Sequence, residues 1–113
     1  MSILPDDVIR SIQGRLAAKR GERAETRTLR ILKADGWSAS RTRSGPVDVI
    51  AAKAGFVLLV QVKSGNATVT VSEAKSLVKW AEDFDADAEV WSFRGRRLEK
   101  RRIYATRRPY PLK

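Results

Sequence analysis

The sequence predicts an α/β (α+β) domain, one β-sheet flanked by helices, with elements in the order α(α)βββαββ. Stretches with apolar residues at helical spacing alternate with short apolar or β-branched runs of strand length. Asp-Gly, Gly-Pro and Ala-Gly breaks separate them. The 113 residues suffice for one domain with a modest core.

Each element has a local reason. Asp6 or Asp7 can cap a first helix carrying Val8, Ile9, Ile12 and Leu16 at helical spacing, with Gly14 and Gly21 weakening its continuity. From Gly21 to Asp35 the pattern is helical again, with Ala24, Thr28, Ile31 and Leu32 as the inward stripe and Leu29 beside it. Asp35-Gly36 stops that helix, Gly36 taking the left-handed position after its end. Trp37 to Thr42 is extended, and Ser44-Gly45-Pro46 is a loop. Val47–Ala52 and Phe56–Lys63 are strands around a tight turn at Lys53-Ala54-Gly55. Thr68 to Val71 is a short β-branched run. Ser72 caps a helix to about Phe84, whose buried face is Ala74, Leu77, Trp80, Ala81 and Phe84. Glu89–Phe93 and Leu98–Tyr104 are strands around Gly95, and the tail from residue 105 to 113 is basic loop. No repeat or linker divides the chain, so residues 1–113 read as one domain with residues 1–18 as a helical extension.

Composition narrows the chemistry. There is no Cys and no His, so thiolate metal sites, imidazole zinc sites and His-based acid–base cleavage are excluded. The net charge of +10 fits a polyanionic partner such as nucleic acid. A solvated surface or an anionic membrane surface would fit the same charge. The charge is segregated, however. Arg10, Arg15, Lys19, Arg20, Arg23, Arg27, Arg30 and Lys33 lie on the N-terminal helices. Arg94, Arg96, Arg97, Lys100, Arg101, Arg102, Arg107, Arg108 and Lys113 lie near the C-terminus, and Glu82–Glu89 is acidic. Arg predominates, which suits bidentate phosphate contacts. No apolar run reaches membrane-spanning length, and the first residues lack a basic segment before an apolar one. The expectation is a soluble, cytoplasmic protein without a membrane partner.

The chemistry concentrates in the central hairpin. Asp48 lies inside the apolar run Val47–Ala52, and Gln61 and Lys63 lie at alternate positions near the end of Phe56–Lys63. Buried strands hold such groups only when they are paired or bind something. A two-residue turn at Ala54-Gly55 pairs Lys53 with Phe56 and so sets Asp48 opposite Gln61, with Lys63 on the same face. A one-residue slip would send Asp48 to the other face. Asp48 and the Gln61 amide oxygen are then oxygen donors suited to Mg2+, with Mn2+ able to substitute. Lys63 would place positive charge on the attacking water or the scissile phosphate. The alternatives are an Asp48 bonded to loop backbone and a Lys63 that reaches solvent.

An Asp on a strand after a Gly-containing loop, followed on the next strand by an acid or amide, any residue and Lys, resembles the PD-(D/E)XK nuclease superfamily. Within it the chain is similar to the archaeal-type Holliday junction resolvases, which have members carried by phages and viruses. Their opening pattern of a basic residue, Gly, three residues, Glu and a helix is matched by Arg20-Gly21-Glu22-Arg23-Ala24-Glu25. The likeness spans about Lys19 to Phe93.

The resemblance implies a central mixed β-sheet with an αβββαβ restriction-endonuclease-like core, extended by the N-terminal helix. It implies that Glu25 joins Asp48 and Gln61 at the metal, with Lys63 completing the catalytic set. It implies DNA contacts from Arg20, Arg23, Arg27, Arg30, Arg41, Arg43, Ser44, Arg96 and Arg97. It implies a homodimer that makes paired nicks in four-way DNA junctions, in a host cytoplasm if the gene is carried by a phage or virus. The chain departs from the pattern at Gln61, where most relatives carry a carboxylate, which lowers metal affinity without removing the oxygen. It also departs at Thr26, where relatives commonly carry Arg and where Arg23 or Arg30 could substitute. The competing functions are another PD-(D/E)XK nuclease acting on branched or duplex DNA, and a junction-binding protein disabled by Gln61.

Two features look like chemistry and read as structure. Asp83-Phe84-Asp85-Ala86-Asp87-Ala88-Glu89 resembles a calcium loop, but Ala88 replaces its turn glycine and Arg94 its bidentate Glu, so it reads as a solvated helix end. Trp80 and Trp91 read as core, whereas Trp37 stays open as a base-stacking residue.

Overall fold

The computed structural model describes residues 21–42 and 45–106. The expected helix within residues 1–18, the residues Arg20, Arg43 and Ser44, and the tail beyond residue 106 lie outside these. The element order is α1 (21–34), β1 (Ser38–Arg41), β2 (Val49–Lys53), β3 (Phe56–Ser64), α2 (Val71–Phe84), β4 (Asp87–Arg94) and β5 (Arg97–Tyr104).

One five-stranded mixed sheet runs in the order β1-β2-β3-β4-β5. Only β3 and β4 pair in parallel; β1–β2, β2–β3 and β4–β5 are antiparallel. The parallel pair follows from the helix between those strands, since a chain that returns through a helix re-enters the sheet in the same direction. The β2–β3 register is the expected one, Lys53 against Phe56 through Val49 against Val60.

Alternation along the strands divides the core into two layers. On one face Val49, Ala51, Leu58, Val60, Trp91 and Phe93 pack with Ala24 and Leu32 of α1. On the other, Val47, Leu59, Ala88 and Val90 pack with Leu77 and Ala81 of α2. The predicted α1 stripe is the buried one: Ala24, Thr28 and Leu32 are almost fully buried. Its end carries the bonds Gly36 N–H to Lys33 O (3.1 Å) and Trp37 N–H to Leu32 O (3.0 Å), with Gly36 at φ 91°. This is a Schellman ending, which favours glycine at the left-handed position.

Several boundaries differ from expectation. Helix α2 starts two residues earlier than expected, with Thr70 rather than Ser72 as its N-cap. The Thr70 side chain accepts the Glu73 N–H, and the Glu73 carboxylate accepts the Thr70 N–H, a complete capping box. Phe84 is 47% exposed rather than core, and stacks on Trp80 at 5.9 Å. The expected solvated acidic turn is partly strand. Asp87 is 1% exposed within β4 and is held by the Thr106 N–H at 2.7 Å and by Arg102 at 3.2 Å. Glu89 takes the Trp91 indole N–H and a bidentate Arg102. Buried or shared in this way, those carboxylates anchor β5 and the segment after it.

Candidate active site

The loop into β2 sets the position of Asp48. Gly45 has φ 62° and lies under Trp80, whose ring would meet a Cβ there at 3.1 Å. The Asp48 N–H bonds the Val60 carbonyl (2.9 Å), and its own carbonyl accepts from the Thr42 N–H (2.9 Å). Val49 is also aligned with Val60, so two residues of this segment meet one of β3, as at a β-bulge. A bulge re-aims the adjacent side chain. The Asp48 carboxylate accepts the Val62 N–H at 2.8 Å and lines a concavity with Gln61, Lys63 and Glu73. Burial pushes its pKa up; the Val62 N–H and the Lys63 charge oppose that rise, and the Glu73 charge adds to it.

Gln61 is 5% exposed. Its Nε2 donates to Glu73 Oε2 at 3.0 Å, and its Oε1 is buried with no hydrogen-bond partner. Lys63 Nζ donates to the same Glu73 oxygen at 2.8 Å. The other oxygen of Glu73 accepts the Thr70 N–H at 3.0 Å. The Lys63 hydrogen bond first, then the Thr70 N–H, hold the Glu73 carboxyl below its ordinary pKa.

Asp48, Gln61 and Lys63 therefore line one concavity, although the β2–β3 ladder ends at Val49 against Val60 and Asp48 is not paired with Gln61 as expected. Glu25 does not line their concavity. It lies on α1, which packs on the sheet face opposite to α2. Among the described residues no three His, Cys, Asp or Glu side chains group at metal-binding spacing. Sequence reasoning missed Glu73. The available signal was Thr70-x-x-Glu73, the pattern of a capping box before an apolar helix.

The expected DNA-contacting residues fall in two places. Arg23, Arg27, Arg30 and Arg41 line a groove with Glu22 and Thr26. There Arg41, rather than Arg23 or Arg30, reaches Thr26, donating to its hydroxyl and to the Glu22 carbonyl (3.2 Å). Arg96 and Arg97 are exposed at the β4–β5 turn. Arg27 joins the two places, lying over the Phe93 ring at 4.6 Å and donating to the Gly95 carbonyl at 3.2 Å. Trp37 is half-buried with Lys53 over its ring at 5.9 Å.

A mixed sheet whose central hairpin presents Asp, Gln and Lys beside a crossover helix defines a nuclease of the PD-(D/E)XK kind. The chain belongs to the restriction endonuclease family Mrr_cat, whose model matches residues 16–107. Its structure is similar to that of Hjc from Archaeoglobus fulgidus, a Holliday junction resolvase from an archaeal hyperthermophile. The TM-score is 0.67 at 26% identity, over 74% of this chain and 72% of that one. No curated protein matches the sequence. Among the described residues no helix is long and apolar enough to cross a membrane.

Proposed function

We propose that this endonuclease is a structure-selective, metal-dependent enzyme that resolves four-way DNA junctions by paired nicks. The observation that carries the reading is the convergence of Asp48, Gln61 and Lys63 in one concavity of a fold similar to that of Hjc. The residues present fit a hard divalent cation. Asp48 offers an ionisable carboxylate, and Gln61 Oε1 is a buried oxygen left without a donor. These would hold Mg2+ or Mn2+, which when bound supplies a water of lowered pKa and offsets charge on the phosphate.

Each side chain has a definable part. The Val62 N–H fixes one Asp48 oxygen and leaves the other for a ligand. Lys63 keeps an ammonium where negative charge would grow on the phosphate, its position set by Glu73. The Arg23/Arg30/Arg41 groove binds backbone phosphate, which orients a duplex arm without reading bases. The described fold holds one such hairpin site, and paired nicks need two, so the active form is a homodimer whose two-fold axis matches that of the junction. A DNA substrate of this kind fits a cytoplasmic location.

The test is cleavage of a synthetic four-way junction against linear duplex, with Mg2+ or Mn2+ and with chelator. The junction should be nicked symmetrically and only with metal. Asp48→Ala should abolish cutting, and Lys63→Ala should slow it by about a hundredfold or more. Equal cutting of linear duplex would keep the nuclease and reject the resolvase. Tight junction binding without cutting under any metal would favour a non-catalytic junction binder, the reading that the amide at Gln61 supports.

A further inference from the structure

Resting on the metal-site reading above, we propose that Glu73 replaces the carboxylate that β3 lacks, acting as a positioning residue from the first turn of α2. It turns the Gln61 amide so that Oε1 faces the cation-binding space beside Asp48, and it anchors the Lys63 ammonium at the same place.

An amide can enter such a contact either way round. With Oε1 toward Glu73, two acceptors would oppose each other; with Nε2 toward it, a charge-assisted hydrogen bond forms. The observed 3.0 Å contact is of the second kind, and Oε1 is thereby left buried and unpartnered. A single Glu73 oxygen takes both Gln61 Nε2 and Lys63 Nζ, while the other is tied to the Thr70 N–H. Both carboxylate oxygens are therefore engaged, one by Gln61 and Lys63 and the other by the helix cap. The formal charges at the concavity, from Asp48, Glu73 and Lys63, equal those of a site with two carboxylates and a lysine. The negative charge has moved from the strand to the helix, and the neutral oxygen ligand has taken the strand position. Introducing Glu at position 61 alone would set two carboxylates against each other at this contact.

The experiment measures Mn2+ binding to the full, metal-free chain without DNA, by electron paramagnetic resonance, alongside thermal unfolding. Glu73→Gln is nearly isosteric and keeps an oxygen for the Thr70 N–H, so its own NH2 faces Gln61 and Lys63; it draws the Gln61 oxygen away from Asp48 and gives up the Lys63 contact. It should weaken Mn2+ binding by about 10- to 100-fold. The exchange Gln61→Glu with Glu73→Gln restores a donor–acceptor pair of reversed polarity and should bind Mn2+ nearly as the parent does. Thr70→Ala removes the capping hydroxyl but leaves the backbone N–H that holds Glu73; it should lower the melting temperature without changing Mn2+ affinity.

Parent-like Mn2+ binding by Glu73→Gln overturns the proposal, as does an equal loss in Thr70→Ala, which would make the effect one of helix stability. Failure of the exchanged pair to bind better than Glu73→Gln also overturns it. If instead the parent binds no Mn2+, or Asp48→Ala binds as well as the parent, the metal-site reading itself fails and this inference falls with it.

Discussion

At the scale of single residues, the site keeps groups that the fold would be more stable without. Burial raises the Asp48 pKa more than the Val62 N–H and Lys63 lower it. Its folded value thus lies above the unfolded one. Between those values the folded state binds more protons, so stability falls as pH rises through that window and stays lower above it. Asp48→Asn keeps an oxygen for the Val62 N–H and removes the charge. The metal-free variant should melt above the parent at neutral pH, with the gap closing in acid as Asp48 protonates; a lower melting temperature at neutral pH would contradict this account. The same conflict with the apolar surroundings makes Asp48, Gln61 and Lys63 legible in the sequence, because polar groups stand out in buried strands. Glu73 does not stand out. It sits in an amphipathic helix where exposed acids are ordinary, and its part depends on the α2 cap lying at Thr70, where Ser72 is a comparable cap by residue type. Glu25 was readable only through a family pattern.

At the scale of elements, the β2–β3 hairpin carries the register on which the site depends. Ala54 and Gly55 both have positive φ, at 52° and 84°, as a type I′ turn requires. The turn and the register it sets were readable because Ala-Gly between apolar runs leaves few alternatives. The bulge at Asp48 was not, since it arises from backbone bonds between distant segments, Asp48 to Val60 and Thr42 to Asp48. Ala54 adopts the left-handed region without the aid of a side-chain hydrogen bond or a missing Cβ. Ala54→Asn should therefore stabilise the protein by roughly 0.5–1 kcal/mol, read as a higher denaturant midpoint at unchanged slope. Because Lys53 stays opposite Phe56, metal affinity should not change. A destabilised variant would show that Ala54 carries no strain there, and altered Mn2+ binding would show that the substitution shifts the register.

At the scale of the whole molecule, two electrostatic demands are met in different places. The chain carries +10 overall, yet the concavity holds Asp48 and Glu73 against Lys63. Long-range attraction thus serves a polyanion, while a small divalent cation depends on local ligands. Composition makes the first demand legible but not its location. The groove needs α1 and β1 to bring Arg23, Arg30 and Arg41 together, and only Arg23 and Arg30 are near neighbours in sequence. The mixed topology was legible by contrast, because α2 between β3 and β4 brings β4 back parallel to β3. If the groove binds backbone phosphate, its arginines release condensed counterions, and each lost contact should flatten the dependence of log affinity on log salt by about 0.9. The double variant Arg23→Ala/Arg30→Ala should accordingly reduce that slope by roughly 1 to 2 for duplex DNA. Junction and linear DNA should weaken in parallel, since phosphate contacts are blind to sequence. Ala54→Asn, at the remote turn, should leave the slope alone. Filter-binding titrations over a range of salt concentrations measure this directly. An unchanged slope in the double variant would move the phosphate-binding surface elsewhere, to the exposed Arg96 and Arg97 turn or to β5.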